Sequence, residues 1–260
     1  MKPYAKKRFG QNFLIDPNIL RKITQSINPQ KEDIIIEIGS GKGALTKFLA
    51  DSQATVHAIE IDGDLIPELE SQISGYPNVN IHHQDALTFD YTSLIQNREQ
   101  QLRIAGNIPY NISSPLLFTM FENATIIKDI HFLVQREIAR RICASPNSKE
   151  YSILSVITQF YGNPKIDFDV SPKVFRPIPD VNSSMLSIPL KQSTLDNKFK
   201  TDFHRTVRTA FSKRRKTLKN TLIGLILENA EICPIDLSRR AESLSVAEFI
   251  TLTQWLFDEK

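Results

Sequence analysis

Three residues in the stretch Gly106-Asn107-Ile108-Pro109-Tyr110-Asn111 are of types that could act together on a flat, amine-bearing group. Asn107 offers a side-chain carbonyl, Pro109 a fixed φ with no N–H, and Tyr110 an aromatic face. The run Leu102-Arg103-Ile104-Ala105 before them reads as a buried strand. Proline and asparagine would weaken a strand interior, so the group stands where that strand ends. An exocyclic adenine amine is a poor nucleophile because its lone pair is delocalised into the ring. Two acceptors, the Asn107 side-chain oxygen and the main-chain carbonyl of Ile108, could hold its two protons and turn the lone pair outward. Pro109 would keep the turn rigid, and Tyr110 would give the base a ring to stack on, a common device for unstacked nucleobases.

A second group precedes it. In Ile34-Ile35-Ile36-Glu37-Ile38-Gly39-Ser40-Gly41-Lys42-Gly43 a buried run gives way to closely spaced glycines and then a helical pattern. Glycines at such a switch let the backbone approach a ligand and adopt positive φ. Two ligands compete for it. Read as G-x-G-x-x-A through Ala44, with Glu60 ~20 residues further on, the loop meets the loose dinucleotide fingerprint. S-Adenosylmethionine is the rival; it has no pyrophosphate but also presents a ribose diol. Later strand ends favour the methyl donor. Glu60-Ile61-Asp62 closes a second strand, where one carboxylate can accept from both ribose hydroxyls. Gln84-Asp85-Ala86 closes a third, and Asp85 is placed to accept from the adenine amino group. A nicotinamide-dependent oxidoreductase leaves Asn107, Pro109 and Tyr110 unexplained. A donor lying across the first three strands would face its methyl toward the end of the fourth, at Asn107, and in-line positioning would do most of the work.

The elements that must position these groups alternate. Strand-like runs at 33–38, 55–61, 79–84, 102–107 and 129–134 are separated by the helical patterns ALTKFLAD, DLIPELESQI and SPLLFTMF. This predicts an α/β fold with a mostly parallel sheet covered on both faces. Asp16-Pro17 predicts a helix start, with Ile19, Leu20, Ile23 and Ile27 at helical spacing after it. The polar stretch at 191–197 reads as a linker, and the pattern beyond it as helical to the end. The expected organisation is one domain over 1–190 and a small helical one over 197–260.

Composition narrows the partners. The 260 residues carry a net charge of +3, unevenly spread. Lys2, Lys6, Lys7 and Arg8 stand near the N-terminus without an acid among them. From Phe203 to Leu227 there are seven bases and no acid, among them Arg208, Lys213, Arg214, Arg215, Lys216 and Lys219. Solvated helix faces usually mix signs, so polyanion binding is favoured over a merely solvated face, with nucleic acid first. No apolar stretch approaches the ~18 residues of a membrane span, and the N-terminus lacks the apolar core of a signal peptide. Cys143 and Cys233 read as free thiols of a reducing cytoplasm. His57, His82, His83, His131 and His204 show no metal spacing, and no metal is expected.

Taken together, FGQNFL (9–14), EIGSGKGALT (37–46), QDAL (84–87), NIPYNISSP (107–115), VFRPIPDVNSSM (174–185) and FSKRRKTLKN (211–220) resemble the motifs of the small-subunit ribosomal RNA adenine dimethyltransferases. The resemblance implies a Rossmann-like class I methyltransferase domain with a small C-terminal helical domain that binds RNA. It implies dimethylation of N6 on two adjacent adenosines near the 3′ end of that RNA, with S-adenosylmethionine as donor. By motif, Asn12 and Leu14 would touch the cofactor, and Gly39, Glu60 and Asp85 would bind its methionine part, ribose and adenine. Asn107 would meet the transfer centre. Phe175 would be a second aromatic for the target base, unless it is simply a core phenylalanine. The implied partner is small-subunit ribosomal RNA within a partly assembled subunit, and the implied enzyme a cytoplasmic monomer. Ser40 and Ile108 depart from the commoner proline and leucine without touching an expected polar contact. Large-subunit RNA methylases share fold and motif, but the stretches at 174–185 and 211–220 favour the small-subunit branch. A non-catalytic nucleic-acid-binding relative would not be expected to keep Asn107, Tyr110 and Glu60.

Overall fold

Asp16 and Pro17 start a helix for the reason their types suggest. In the computed structural model, which describes residues 11–97, 99–192, 195–213, 215–226 and 232–257, α1 spans Pro17–Ile27 just after a two-residue strand, β1 (Phe13–Leu14). The Asp16 carboxylate accepts from the N–H groups of Asn18 and Ile19 at 2.8 and 3.2 Å, satisfying donors that a helix N-terminus leaves unpaired. Leu20, Ile23 and Ile27 bury the apolar stripe. Asn28 then takes the left-handed conformation and ends the helix.

The alternation of runs and helical periods becomes a parallel sheet. β2 (Ile34–Ile38), β3 (Thr55–Glu60), β4 (Val79–His83), β5 (Leu102–Asn107) and β6 (Ile127–Gln135) follow one another, with α2 (Ala44–Ala50), α3 (Ile66–Ile73) and α4 (Ser113–Glu122) between them. All five strands pair in parallel in the order β4-β3-β2-β5-β6. β2 and β5 are buried along nearly their whole length, which is why both read as unbroken apolar runs.

The sequence pattern does not signal the strands that complete the sheet. β7 (Lys165–Val170), the two-residue β8 (Phe175–Arg176) and β9 (Ser183–Pro189) follow two further helices, α5 (Arg136–Ile142) and α6 (Ile153–Tyr161). β9 inserts antiparallel between β6 and β7, and β8 pairs antiparallel with β1. Ser183, Ser184 and Ser187 share the buried positions of β9 with Met185, Leu186 and Ile188. Ser184 Oγ donates to Asp169 at 2.5 Å, and Ser187 Oγ bonds to Asp167 and to His131 Nδ1.

The chain divides into two compact units. The first runs to Ala139 and includes Asn163–Lys191; the second comprises Arg140–Gly162 and the chain from Gln192 on. A single cut near residue 190 therefore misassigns the stretch 140–162. Its helix α6 is apolar on most faces, burying Leu154, Val156, Ile157, Phe160 and Tyr161. Such a helix needs cover all round. Phe160 stacks at 4.0 Å on Phe203 of α7 (Asn197–Ala210), and Tyr161 Oη lies 3.1 Å from His204 Nε2. Helix is also less continuous toward the C-terminus than its pattern predicts. Among the described residues, 211–213 and 215–217 are not helical before the short α8 (Leu218–Thr221), and turns precede α9 (Val246–Phe257). Among the described residues no helix is long and apolar enough to cross a membrane.

Candidate active site

The strand order changes direction between β2 and β5. Open α/β sheets bind ligands at such a switch, outside the carboxyl ends of the strands. Gly39, Glu60, Asp85 and Asn107 all stand there, lining one cleft with Asn12, Pro109 and Tyr110.

Close backbone approach makes the cleft possible. A Cβ on Gly106 would lie 2.4 Å from the Ile38 carbonyl oxygen, so only glycine lets the end of β5 come this near to β2. Gly41, at φ +56, turns its N–H onto Glu60 Oε2 at 2.7 Å. The other carboxylate oxygen, Oε1, accepts from the Asp62 N–H at 2.8 Å. Glu60 thus ties the glycine loop to the end of β3. A carboxylate has about four acceptor sites, so two remain for a diol. Its burial raises its pKa above the ordinary glutamate value, against the backbone donors of Asp62, Gly41 and Ile61 that favour the charge.

Asp85, half-buried, accepts from the Leu87 N–H at 2.9 Å, and Tyr91 Oη beneath it donates to the Ala86 carbonyl at 2.8 Å. These bonds fix the loop after β4 and leave the Asp85 carboxylate with acceptor capacity. Two residues the sequence reading passes over complete this side. Asp62 is 3% exposed and accepts from Gln11 Nε2 at 2.9 Å, which joins the segment before β1 to the loop after β3.

Asn107 is held by its nitrogen. Nδ2 donates to the Asn12 carbonyl at 2.8 Å. A carbonyl partner requires a donor, which assigns the amide orientation and leaves Oδ1 as a clear acceptor. The Ile108 side chain is buried and its N–H donates to the Leu133 carbonyl at 3.1 Å, while among the described residues none donates to its carbonyl. Pro109 closes the turn into α4, its carbonyl accepting from the Ile112 N–H at 3.1 Å. Tyr110 is half-buried, with Oη 3.0 Å from Ser183 Oγ. The two acceptors, the rigid turn and the ring are therefore together.

Phe175 does not join them. It is 1% exposed and packs in the core with Leu14, the residue opposite it in the β1–β8 pair. A ring so covered offers no face to a base in this structure, which favours the core alternative. Leu14 is 6% exposed and also lines a second cavity beside Glu37, Gly39 and Asn107.

Glu37 is a site residue whose role the sequence reading misses. It is 2% exposed, and among the described residues its Oε2 has no hydrogen-bond partner. Burial pushes its carboxyl up to about 8 from 4.5. An acid held neutral by burial beside a cavity is a candidate receptor for a cation, whose arrival would favour loss of its proton. Between 4.5 and about 8 the folded chain binds more protons here than the unfolded chain. Stability of the unliganded protein should therefore fall as pH rises through that window. Glu37→Gln should flatten the fall. Thermal melts near pH ~5 and ~8 check this; the same pH dependence in both proteins would put the proton elsewhere.

In the second unit, Arg208 on α7 and Lys213, Arg215, Lys216 and Lys219 beyond it are exposed, while Arg214 and the basic residues at 2–8 lie outside the described residues. The run is spread over a helix end, a loop and α8, not one helical face. If it grips phosphates, changing Lys213, Arg215 and Lys216 to glutamine should weaken RNA binding and flatten its salt dependence by about one unit of slope per lost contact. Cofactor affinity should stay put. A salt slope equal to wild type would mean these bases are only solvated.

Comparison with known proteins shows the family. The sequence model of the family described as ribosomal RNA adenine dimethylase matches residues 3–258. Ribosomal RNA small subunit methyltransferase A of Francisella tularensis subsp. novicida is 42% identical over 258 residues, 98% of each chain. The protein of that name from Saccharophagus degradans is 42% identical over 255 residues, covering 97% of this chain and 95% of its own. Among solved structures, a dimethyladenosine transferase from Plasmodium falciparum superposes with a TM-score of 0.78 at 25% identity, over 92% of this chain and 95% of that one. The 23S rRNA methyltransferase ErmE gives 0.72 at 22% identity, over 94% and 99%, and shares the fold.

Proposed function

Because this chain belongs to the ribosomal RNA adenine dimethylase family, we propose that it methylates N6 of two adjacent adenosines near the 3′ end of small-subunit ribosomal RNA, twice each. It is an S-adenosylmethionine-dependent enzyme of Rossmann-like fold. One observation carries the assignment to adenine N6: the Asn107 amide, locked by the Asn12 carbonyl, next to an Ile108 carbonyl to which none of the described residues donates. Those are two acceptors for two amine protons.

The residues fit the cofactor. Glu60 has acceptor sites for a ribose diol, Asp85 for an adenine amine, and the orphaned Glu37 oxygen for the ammonium of the methionine part beside Gly39. When bound, S-adenosylmethionine supplies a methyl group on a sulfonium, a good leaving group that needs no metal. The chain's own task is to present the nitrogen. Asn107 Oδ1 and the Ile108 carbonyl hold the N6 protons, so that the lone pair leaves conjugation and points at the electrophile. Their attraction grows as N6 gains positive charge, which is differential stabilisation of the transition state. Pro109 and its turn keep the acceptors from drifting. Tyr110 fixes the plane of the base. After the first transfer the N6 ammonium releases one proton to solvent and the amine keeps a single proton, so only one acceptor can hold it and stacking carries more of the positioning.

The exposed bases of the second unit support RNA as the partner. We read the enzyme as a cytoplasmic monomer acting on a partly assembled small subunit. Purified protein given labelled S-adenosylmethionine and unmethylated ribosomal RNAs tests the assignment, with assembled subunits as a parallel substrate. N6,N6-dimethyladenosine should appear in the small-subunit RNA; label confined to large-subunit RNA would favour the other branch.

A further inference from the structure

The Tyr110 hydroxyl does not point into empty solvent. It lies 3.0 Å from Ser183 Oγ, and Ser183 is 1% exposed. Ser183 sits on β9, paired with Gln135 of β6 on one side and Val170 of β7 on the other. A hydroxyl on a strand with a neighbour on each side is fixed in space. Tyr110 itself leaves a turn whose backbone is set by the Pro109 carbonyl, so its remaining freedom is rotation of the side chain. Burial keeps the phenol protonated, above its ordinary pKa, so the bond is one between neutral groups. The ring is held at both ends, by the turn at its Cα and by the sheet at its oxygen.

We propose that Ser183 is a positioning residue: its hydroxyl clamps the Tyr110 ring at the angle on which the target base stacks, and this clamp governs the second methylation of each adenosine more than the first. The inference rests on the reading of Tyr110 as the stacking ring of an adenine dimethyltransferase. The asymmetry follows from proton counting. Unmethylated N6 has two protons for two acceptors, which locate it even on a loosened ring. Monomethylated N6 has one, and a methyl group competing for the space of the other. Ring orientation then decides whether the lone pair still faces the electrophile.

Single-turnover transfer at saturating cofactor, with mono- and dimethyladenosine counted separately, tests the clamp. Ser183→Ala and Tyr110→Phe each remove one end of the bond. A hydrogen bond of ordinary net strength corresponds to about threefold to tenfold in rate. Each variant should slow the second transfer by that factor relative to the first, so that monomethyladenosine accumulates. Melting temperature and affinities for RNA and S-adenosylhomocysteine should stay near wild type. The double variant should be no slower than either single one, because both break the same contact. If Ser183→Ala fails to fold, Tyr110→Phe decides alone, since it leaves the serine in place. A wild-type ratio of products in Tyr110→Phe, or effects that multiply in the double variant, would overturn the clamp. A wild-type protein that methylates no adenine would overturn both the clamp and the function it rests on.

Discussion

Asn107→Ala should lose about a hundredfold to a thousandfold in single-turnover methyl transfer, the usual effect of removing one preorganised transition-state group. The Asn107 oxygen can serve the reaction because the other half of its amide is occupied. Nδ2 is committed to the Asn12 carbonyl at 2.8 Å, so Oδ1 needs no reorganisation when the target nitrogen gains charge. Alanine removes that acceptor, so the Ile108 carbonyl holds one amine proton and nothing holds the other. RNA affinity should barely move, since phosphate contacts supply most of it. Tyr110→Ala should lose less, the ~1–3 kcal/mol of stacking on one base. If Asn107→Ala transferred methyl at the wild-type rate, the acceptor account of the transfer site would be wrong.

Glu60→Ala should weaken S-adenosylhomocysteine binding by roughly tenfold to a hundredfold, from the 1.5–3 kcal/mol of a charge-assisted hydrogen bond. The two backbone bonds Glu60 already makes sharpen this expectation. They fix both carboxylate oxygens relative to Gly41 and Asp62 before any ligand arrives, so little ordering remains to be done on binding. The same bonds mean that alanine also frees the glycine loop. Glu60→Gln keeps the bulk and one acceptor, so it can hold one of the two backbone donors and its loss should be smaller. Calorimetric titration reads both variants. Unchanged affinity in a folded Glu60→Ala protein would remove this carboxylate from the ribose site, and RNA binding serves as the control that should hold.

The parts of this molecule that were legible share one property: their physics is local. β2 and β5 are buried along most of their length, so their residues are uniformly apolar and stand out between helical periods. The strand ends then follow, and with them Glu60, Asp85 and Asn107. β9 is equally buried but hidden, because Ser183, Ser184 and Ser187 interrupt its apolar run and are satisfied by Tyr110, Asp169 and Asp167 in other segments. No window of sequence contains those partners. Phe175 shows the converse. Its motif suits a stacking ring, yet its neighbour across the β1–β8 pair, Leu14, draws it into the core. Glu37 was in plain view as a letter, but a glutamate is exceptional only once its burial and its orphaned oxygen are known. The boundary of the second unit was hidden for a related reason, since α6 reads as an ordinary apolar helix until Phe203 is found against it.

Dimethylation of two neighbouring adenosines of small-subunit RNA is the activity proposed for this site. Its most direct test is to map N6,N6-dimethyladenosine in total RNA from cells with the protein, without it, and without it but supplied with either wild type or Asn107→Ala. Both marks near the 3′ end of the small-subunit RNA should vanish with the protein, return with the wild type, and stay absent with Asn107→Ala. Marks at full level in cells lacking the protein, or full restoration by Asn107→Ala, would contradict it.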